Sequence, residues 1–223
     1  LQTHPPPRKM EKIDHFIYIN LDKRADRKAH MEQEFANLGI PLEKITRISA
    51  TYNPTNGIGC MDSHIQALKW ARKMNYKNAW IFEDDFTFTA DKPTIEDYLR
   101  QLFFKNPKVD VALASYIHKQ TPFPPLQITL YPNIYRVVES QTASSYLVSG
   151  HYYDKLIDLF EDAYIQLQIT GEHWHYANDQ VWKLLQVKDI WYCFTPSLGK
   201  QRPDARDNSS DANERIIQYS DQG

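Results

Sequence analysis

The stretch Ala79-Trp80-Ile81-Phe82-Glu83-Asp84-Asp85 passes from a short apolar run into three consecutive acids. Four apolar residues without polar alternation predict a strand covered on both faces, as in a parallel sheet. Three adjacent carboxylates at its end repel one another, and that costs stability unless a cation or hydrogen bonds compensate. Upstream, Ile-Asp-His-Phe-Ile-Tyr-Ile-Asn-Leu at residues 13–21 is a second apolar run rich in β-branched residues. It ends in Asp22-Lys23-Arg24-Ala25-Asp26-Arg27, after which Met31, Phe35 and Leu38 recur at helical spacing and Gly39 stops the helix. A strand at 44–48 and a helix at about 61–74, with Ile65, Leu68 and Ala71 on its apolar face, complete the interval. Strand, helix, strand, helix, strand is the order of an α/β sheet with crossover helices. Ligands of such sheets sit outside the carboxyl ends of the strands, where both charged clusters fall.

The second half is more mixed. Strands are expected at 109–114, 134–138, 145–149 and 190–194, and helices at 152–160 and 179–186. A stiff Pro-rich loop at 121–125 separates the first two of these strands, and the tail from Gly199 is expected to be irregular. With 223 residues, 42% hydrophobic and 24% charged, the chain suits one folded domain, residues 11–223. Residues 1–10, with Pro5-Pro6-Pro7, read as a leftover linker, and Met10 suits a native start. A net charge of −2 gives no electrostatic case for nucleic-acid binding. No apolar run reaches the length of about 20 residues needed for a membrane span, and no signal-peptide core is present. Cys60 and Cys193 are too few for a disulfide scaffold and read as buried thiols in a reduced compartment. Aromatics at 13%, with 14 Tyr and five Trp, suit a cleft in which rings stack on sugar faces, or simply an aromatic core.

On an extended segment alternate residues share a face, so Glu83 and Asp85 can point together while Asp84 points away. Asp85 is then the direct ligand of a hard cation, Mn²⁺ or Mg²⁺, with Glu83 beside it as a second ligand or nucleotide contact. The competing reading is a solvated acidic turn. Ser63 and His64 lie near the start of the second helix, where free backbone N–H groups favour an anion. For His64 a purely structural hydrogen bond competes. Asp179 in Asn178-Asp179-Gln180-Val181-Trp182 is either a general base or a helix cap. Glu172 in Gly171-Glu172-His173-Trp174-His175 is the reserve base, and the two histidines there are either metal ligands or part of an aromatic loop.

In their order along the chain these features resemble glycosyltransferase family 25, the lipopolysaccharide and procollagen glycosyltransferases. The matching residues are Ile19-Asn20-Leu21 with Arg24, Asp26 and Arg27; Gly59-Cys60 with Ser63-His64; and Phe82-Glu83-Asp84-Asp85. Ser145-Tyr146-Leu147-Val148-Ser149, Asp179, Gln201 and Ser210-Asp211 follow. The resemblance implies a GT-A-type nucleotide-binding mixed sheet flanked by helices. It implies a UDP-sugar donor, a metal held by the acidic motif, and inverting transfer of galactose or glucose onto a hydroxyl. Acceptors would be a glycan, lipopolysaccharide or a protein. Asn20, Leu21, Arg24, Arg27, Ser63, His64, Glu83, Asp84 and Gln201 would then face the donor. For Arg27 an ion pair with Asp26 or Glu34 competes. The cations of Lys200-Gln201-Arg202-Pro203-Asp204-Ala205-Arg206 would fold over the diphosphate or stay in solvent.

Two alternatives remain. One is a catalytically inactive sugar-nucleotide or glycan-binding module. The other is a sugar nucleotidyltransferase, against which the glycine-free Asn20-Leu21-Asp22-Lys23-Arg24 segment counts. The expected setting is the cytoplasm of a bacterial or viral system, and an oligomer is compatible with the sequence.

Overall fold

A computed structural model describes residues 12–55, 57–105, 108–117 and 125–203. Residues 1–10, most of the Pro-rich loop, and Asp204, Arg206, Ser210 and Asp211 lie outside this set. The first half follows the expected alternation: β1 (His15–Asn20), α1 (Ala25–Asn37), β2 (Ile45–Ser49), α2 (Ile58–Lys73) and β3 (Asn78–Glu83). Then come β4 (Phe86–Phe88), α3 (Lys92–Lys105), β5 (Val111–Leu113), β6 (Leu126–Ile128), β7 (Ile134–Val137) and β8 (Ser145–Ser149). The chain continues through α4 (Tyr153–Thr170), α5 (His173–Tyr176), α6 (Asn178–Val181), α7 (Lys183–Gln186), β9 (Trp191–Phe194) and β10 (Gly199–Gln201).

Eight strands form one mixed sheet in the order β2-β1-β3-β8-β5-β9-β7-β6, and β10 pairs with β4 in a small second sheet. β1 is parallel to both β2 and β3, β5 is parallel to β9, and β8 runs antiparallel between β3 and β5. This is the α/β architecture that the alternation predicts, with helices on both faces. The apolar runs are continuous because each strand feeds two cores. Ile17, Ile19, Ala79 and Ile81 pack with α2 and α4 on one face. Phe16, Tyr18, Trp80 and Phe82 pack with Met31 and Phe35 of α1 and with Ile95, Leu99 and Leu102 of α3 on the other. Alternate residues of one strand point to opposite faces, which divides the run between the two layers.

β1 leads through α1 to β2 on one side and lies against β3 on the other, so the strand order reverses at β1. A crevice opens there, at the carboxyl ends of β1 and β3. The register pairs Ile19 with Glu83, so Asn20 and the acidic triplet emerge side by side.

Three expectations need correction. The tail is not irregular at Gly199: β10 pairs antiparallel with β4 and sets Gln201 opposite Phe86. Its approach is close, since a Cβ on Gly199 would lie 2.3 Å from Phe86 Cζ and from the Thr87 carbonyl oxygen. The helix expected to end at Phe160 runs on to Thr170, because Ala163 and Leu167 continue its buried stripe until Gly171 caps it in the left-handed region. The single helix expected over 179–186 is two short turns, α6 and α7, that meet at Trp182.

Gly59 has a similar constraint to Gly199. A Cβ there would stand 2.3 Å from the Thr51 carbonyl oxygen and 3.1 Å from the Asn53 backbone nitrogen. The loop after β2 therefore lies directly on the first turn of α2, and Ser63 fastens it: its hydroxyl donates to the Gly59 carbonyl at 2.6 Å and accepts from the Thr51 N–H at 2.9 Å. Gly59→Ala should destabilise the fold by about 1–3 kcal/mol, as overpacking does. Chemical unfolding of the two proteins measures this, and equal midpoints would contradict the packing.

Candidate functional site

The crevice holds a cleft of about 180 Å³. Its walls come from the end of β1 (Ile19, Leu21), the loop after β2 (Ala50, Thr51), the first turns of α2 (Gly59, Cys60, Ser63, His64) and the acidic triplet, with Arg27 of α1. Most of the residues singled out in the sequence therefore converge here, although several are already engaged.

Asn20 is 1% exposed and fully hydrogen-bonded. Its amide nitrogen donates to Asp84 Oδ2 at 2.7 Å and to the Arg24 carbonyl at 3.1 Å, and its Oδ1 accepts from Arg47 Nε at 2.9 Å. Arg27 pairs with Asp84 at 3.2 Å, rather than with Asp26 or Glu34. Asp84 is thus turned toward β1 and α1; burial raises its carboxyl above the ordinary value, and the Asn20 hydrogen bond and the Arg27 charge only partly counter this. Arg24 bonds Asp26 through two nitrogens at 2.8 and 2.9 Å. Ser63 spends its hydroxyl on the packing described above.

Glu83 and Asp85 project elsewhere, and together. Gln201 Nε2 lies 3.3 Å from Glu83 Oε2 and 3.4 Å from Asp85 Oδ2, so the two carboxylates converge on one amide donor. The amide moderates their repulsion where a cation would remove it. Asp85 is 6% exposed, and its Oδ1 is buried with no hydrogen-bond partner among the described residues. Burial, with the Glu83 and Asp84 charges beside it, pushes the Asp85 carboxyl well above the usual carboxylate range. An orphaned buried carboxylate oxygen in a cleft carries a cost that an oxygen-seeking cation would relieve. The donor set therefore fits Mn²⁺ or Mg²⁺.

Glu83 has a second set of contacts. His64 Nε2 approaches its Oε1 at 3.1 Å and the Cys60 thiol donates to the same oxygen at 3.4 Å. His64 is fully buried, and its Nδ1 lies 3.0 Å from the Tyr146 hydroxyl. Burial raises Glu83, but the hydrogen bond and charge of His64, the thiol and Arg27 outweigh it, and its carboxyl sits below its ordinary value. Cys60 is only in part the buried thiol expected from the sequence. As a residue it is exposed on the cleft wall, although burial of its sulfur and the Glu83 charge beside it push the thiol well above its ordinary value; Cys193 is buried.

Asp179 stands at the other side of Gln201. Its Oδ2 accepts the Thr142 N–H at 3.0 Å and its Oδ1 the Gln180 amide at 3.2 Å, while Thr142 Oγ1 donates to Gln201 Oε1 at 3.3 Å. Thr142 takes φ of 75°, unusual for a β-branched residue and held by these two contacts. Asp179 is the second residue of α6, and among the described residues its carboxylate bonds Thr142 and the Gln180 side chain instead of a backbone N–H of that helix. Burial, with the Glu83 charge, raises its carboxyl above the ordinary value. Glu172 precedes α5, and among the described residues no hydrogen bond joins its side chain to the cluster. His173 and His175 belong to no group of converging metal donors among the described residues, whereas Cys60, His64 and Glu83 do. Arg202 reaches the motif through its backbone, donating its N–H to the Asp85 carbonyl at 2.8 Å.

Thr142, Tyr146, Asn178 and Arg47 carry much of this geometry, yet the sequence reading gave none of them a role. Tyr146 in the middle of a buried strand is a signal, since a buried hydroxyl needs a partner. Nothing local distinguishes Thr142.

A raised carboxyl binds its proton in the native state before the unfolded chain does. As pH falls from neutrality, Asp85 and Asp179 should therefore stabilise the metal-free protein progressively, down to the ordinary carboxylate value near 3.8. Glu83, held below 4.5, acts in the opposite sense and loses its contribution only at lower pH. His15, whose imidazole is lowered by burial, costs stability over the same window, so the difference in thermal unfolding between wild type and Asp85→Asn is the readout: in a chelating buffer wild type should gain stability relative to the variant from neutral toward mildly acidic pH. A difference that stays constant with pH would contradict this arrangement.

No protein-family model matches the chain, and no curated protein does. Among solved structures, a mannose-1-phosphate geranyltransferase from Thermus thermophilus overlaps with a TM-score of 0.47 at 8% identity, over 82% of this chain and 73% of that one. A Bacillus anthracis protein described as a putative glucose-1-phosphate thymidylyltransferase, in complex with sucrose, overlaps with a TM-score of 0.40 at 13% identity, over 83% and 71%. At such scores neither carries an argument about function. Among the described residues no helix is long and apolar enough to cross a membrane.

Proposed function

We propose that the chain is a metal-dependent transferase acting on sugar nucleotides, and within that class a glycosyltransferase that moves a hexose from a UDP-sugar to an acceptor hydroxyl. One observation supports this above the rest: Glu83 and Asp85 converge at the carboxyl ends of β1 and β3, with Asp85 Oδ1 buried and unsatisfied in the cleft. The resemblance to glycosyltransferase family 25 points to the same residues.

A Mn²⁺ or Mg²⁺ ion held by Asp85 and Glu83 would neutralise charge on a departing diphosphate. The chain's own groups supply the rest. Asn20 and Arg27 fix Asp84, which keeps the triplet's backbone at the crevice mouth. Ile19, Leu21 and Ala50 give the cleft apolar lining suited to a nucleoside. Gln201, tied to Thr142, orients the two carboxylates. Asp179 accepts the proton of the attacking hydroxyl, a task suited to a carboxyl whose burial has raised its basicity. Trp174, 58% exposed on α5, offers a face on which an acceptor sugar stacks.

The second reading is a sugar nucleotidyltransferase. It needs the same acids, and a different reaction separates the two. Incubation with UDP-galactose or UDP-glucose and Mn²⁺ should release UDP, and a chelator should stop it. Pyrophosphate release from UTP and a sugar 1-phosphate, with no turnover of either UDP-sugar, would overturn the glycosyltransferase reading in favour of the second.

A further inference from the structure

Glu83 has two oxygens, and only Oε2 takes part in the arrangement with Asp85. On the Oε1 side, Cys60 Sγ and His64 Nε2 stand 3.4 and 3.1 Å away, and the three donor atoms lie within 4.8 Å of one another. Cys60 and His64 are four residues apart on α2 and so share a face. Tetrahedral zinc with bonds of about 2.3 Å to sulfur and about 2.0 Å to nitrogen and oxygen puts its ligands roughly 3.3–3.5 Å apart. Both measured edges are close to that.

The surroundings match as well. Metal-bound imidazole usually donates its other N–H to a partner, which fixes ring and tautomer. His64 Nδ1 has the Tyr146 hydroxyl at 3.0 Å, and the rings stack with centroids 5.7 Å apart. The buried Asn178 amide lies 3.8 Å from the sulfur, placed to donate to a thiolate. Cys60 lines the cleft, which gives an ion its path; burial and the Glu83 charge keep the thiol protonated in the metal-free protein, so its proton leaves only as an ion takes its place.

We infer that Cys60, His64 and Glu83 form a thiolate–imidazole–carboxylate site for Zn²⁺, distinct from the oxygen site at Asp85 and sharing Glu83 with it. Binding replaces the two hydrogen bonds to Glu83 Oε1. The thiol releases its proton to solvent, and neutral imidazole carries its proton on Nδ1, toward Tyr146. A soft sulfur donor selects Zn²⁺ over Mn²⁺ and Mg²⁺. An ion seated here draws Glu83 away from Asp85, so the two sites compete.

Co²⁺, which takes zinc sites and reports sulfur ligation by a near-ultraviolet charge-transfer band, provides the probe. Titrated into the metal-free full chain, it should produce that band in wild type, in Cys193→Ser and in Asp85→Ala. Cys60→Ser should abolish it and weaken Zn²⁺, measured by competition with a chromophoric chelator, by about 100-fold. Tyr146→Phe should weaken Zn²⁺ by about 10-fold with the band retained. A band that is absent in wild type, that survives Cys60→Ser, or that vanishes in Asp85→Ala would overturn the site. Because none of these readouts is catalytic, the transferase reading stands or falls separately.

Discussion

Asp85→Ala is expected to lower metal-dependent turnover by about 10³-fold or more, in line with removal of a central electrostatic group from a closed site. Asp85 has the only carboxylate oxygen of the triplet that is buried without a partner among the described residues. Asp84 is satisfied by Asn20 and Arg27, and Glu83 by His64, Cys60 and Gln201. The same position carries a stability penalty. Asp85→Asn removes a carboxyl burdened by desolvation and by two neighbouring acids, and should stabilise the metal-free protein by about 1 kcal/mol. For a domain of this size that is a rise of about 3 °C in Tm. Loss of turnover together with a gain in stability is the signature of a group retained for chemistry. A variant both inactive and unstable would instead make Asp85 a packing residue.

The second large effect belongs to Asp179. Asp179→Ala should leave UDP binding nearly unchanged while transfer falls by about 10²–10⁴-fold, the usual range for a general base. Asp179→Asn is the stricter variant, because its remaining oxygen can still accept the Thr142 N–H and hold the Thr142–Gln201 contact. The proton balance sets the pH dependence. The base must be ionised, and burial raises the pH at which it ionises. Wild-type kcat/KM should therefore decline as pH falls through that raised value, and the residual activity of Asp179→Asn should lose this limb. Transfer at the wild-type rate in either variant would require another base, and Glu172, without a hydrogen bond to the cluster among the described residues, is not expected in that role.

The legibility of the fold follows from where its signals lie along the chain. β1, β3 and the first two helices are readable because their apolar runs or stripes are bounded by charge or glycine, and β2 is readable from its place between the two helices. α3 is missed although Ile95, Leu99 and Leu102 recur at helical spacing and Asp91 accepts the Thr94 N–H at 3.0 Å as a cap. Phe103 and Phe104 extend the apolar content beyond one stripe and blur its period. β4 and β10 are three residues each, too short for any periodicity, and exist because they pair with one another. The site divides in the same way. Acids at a strand end can be read locally, whereas the roles of Asn20 and Arg27 cannot: their partner Asp84 lies 64 and 57 positions away. Whether a polar residue near the cleft faces a ligand or its neighbours is decided by long-range pairing, as Ser63 and Arg47 show.

Crystals grown with UDP and Mn²⁺ provide the most direct measurement. Anomalous scattering should place one manganese ion in coordination distance of Asp85 and Glu83, with the diphosphate on its far side and Gln201 displaced from between the carboxylates. A nucleotide bound elsewhere on the sheet, or held in this cleft with no ion near Asp85, would contradict the account.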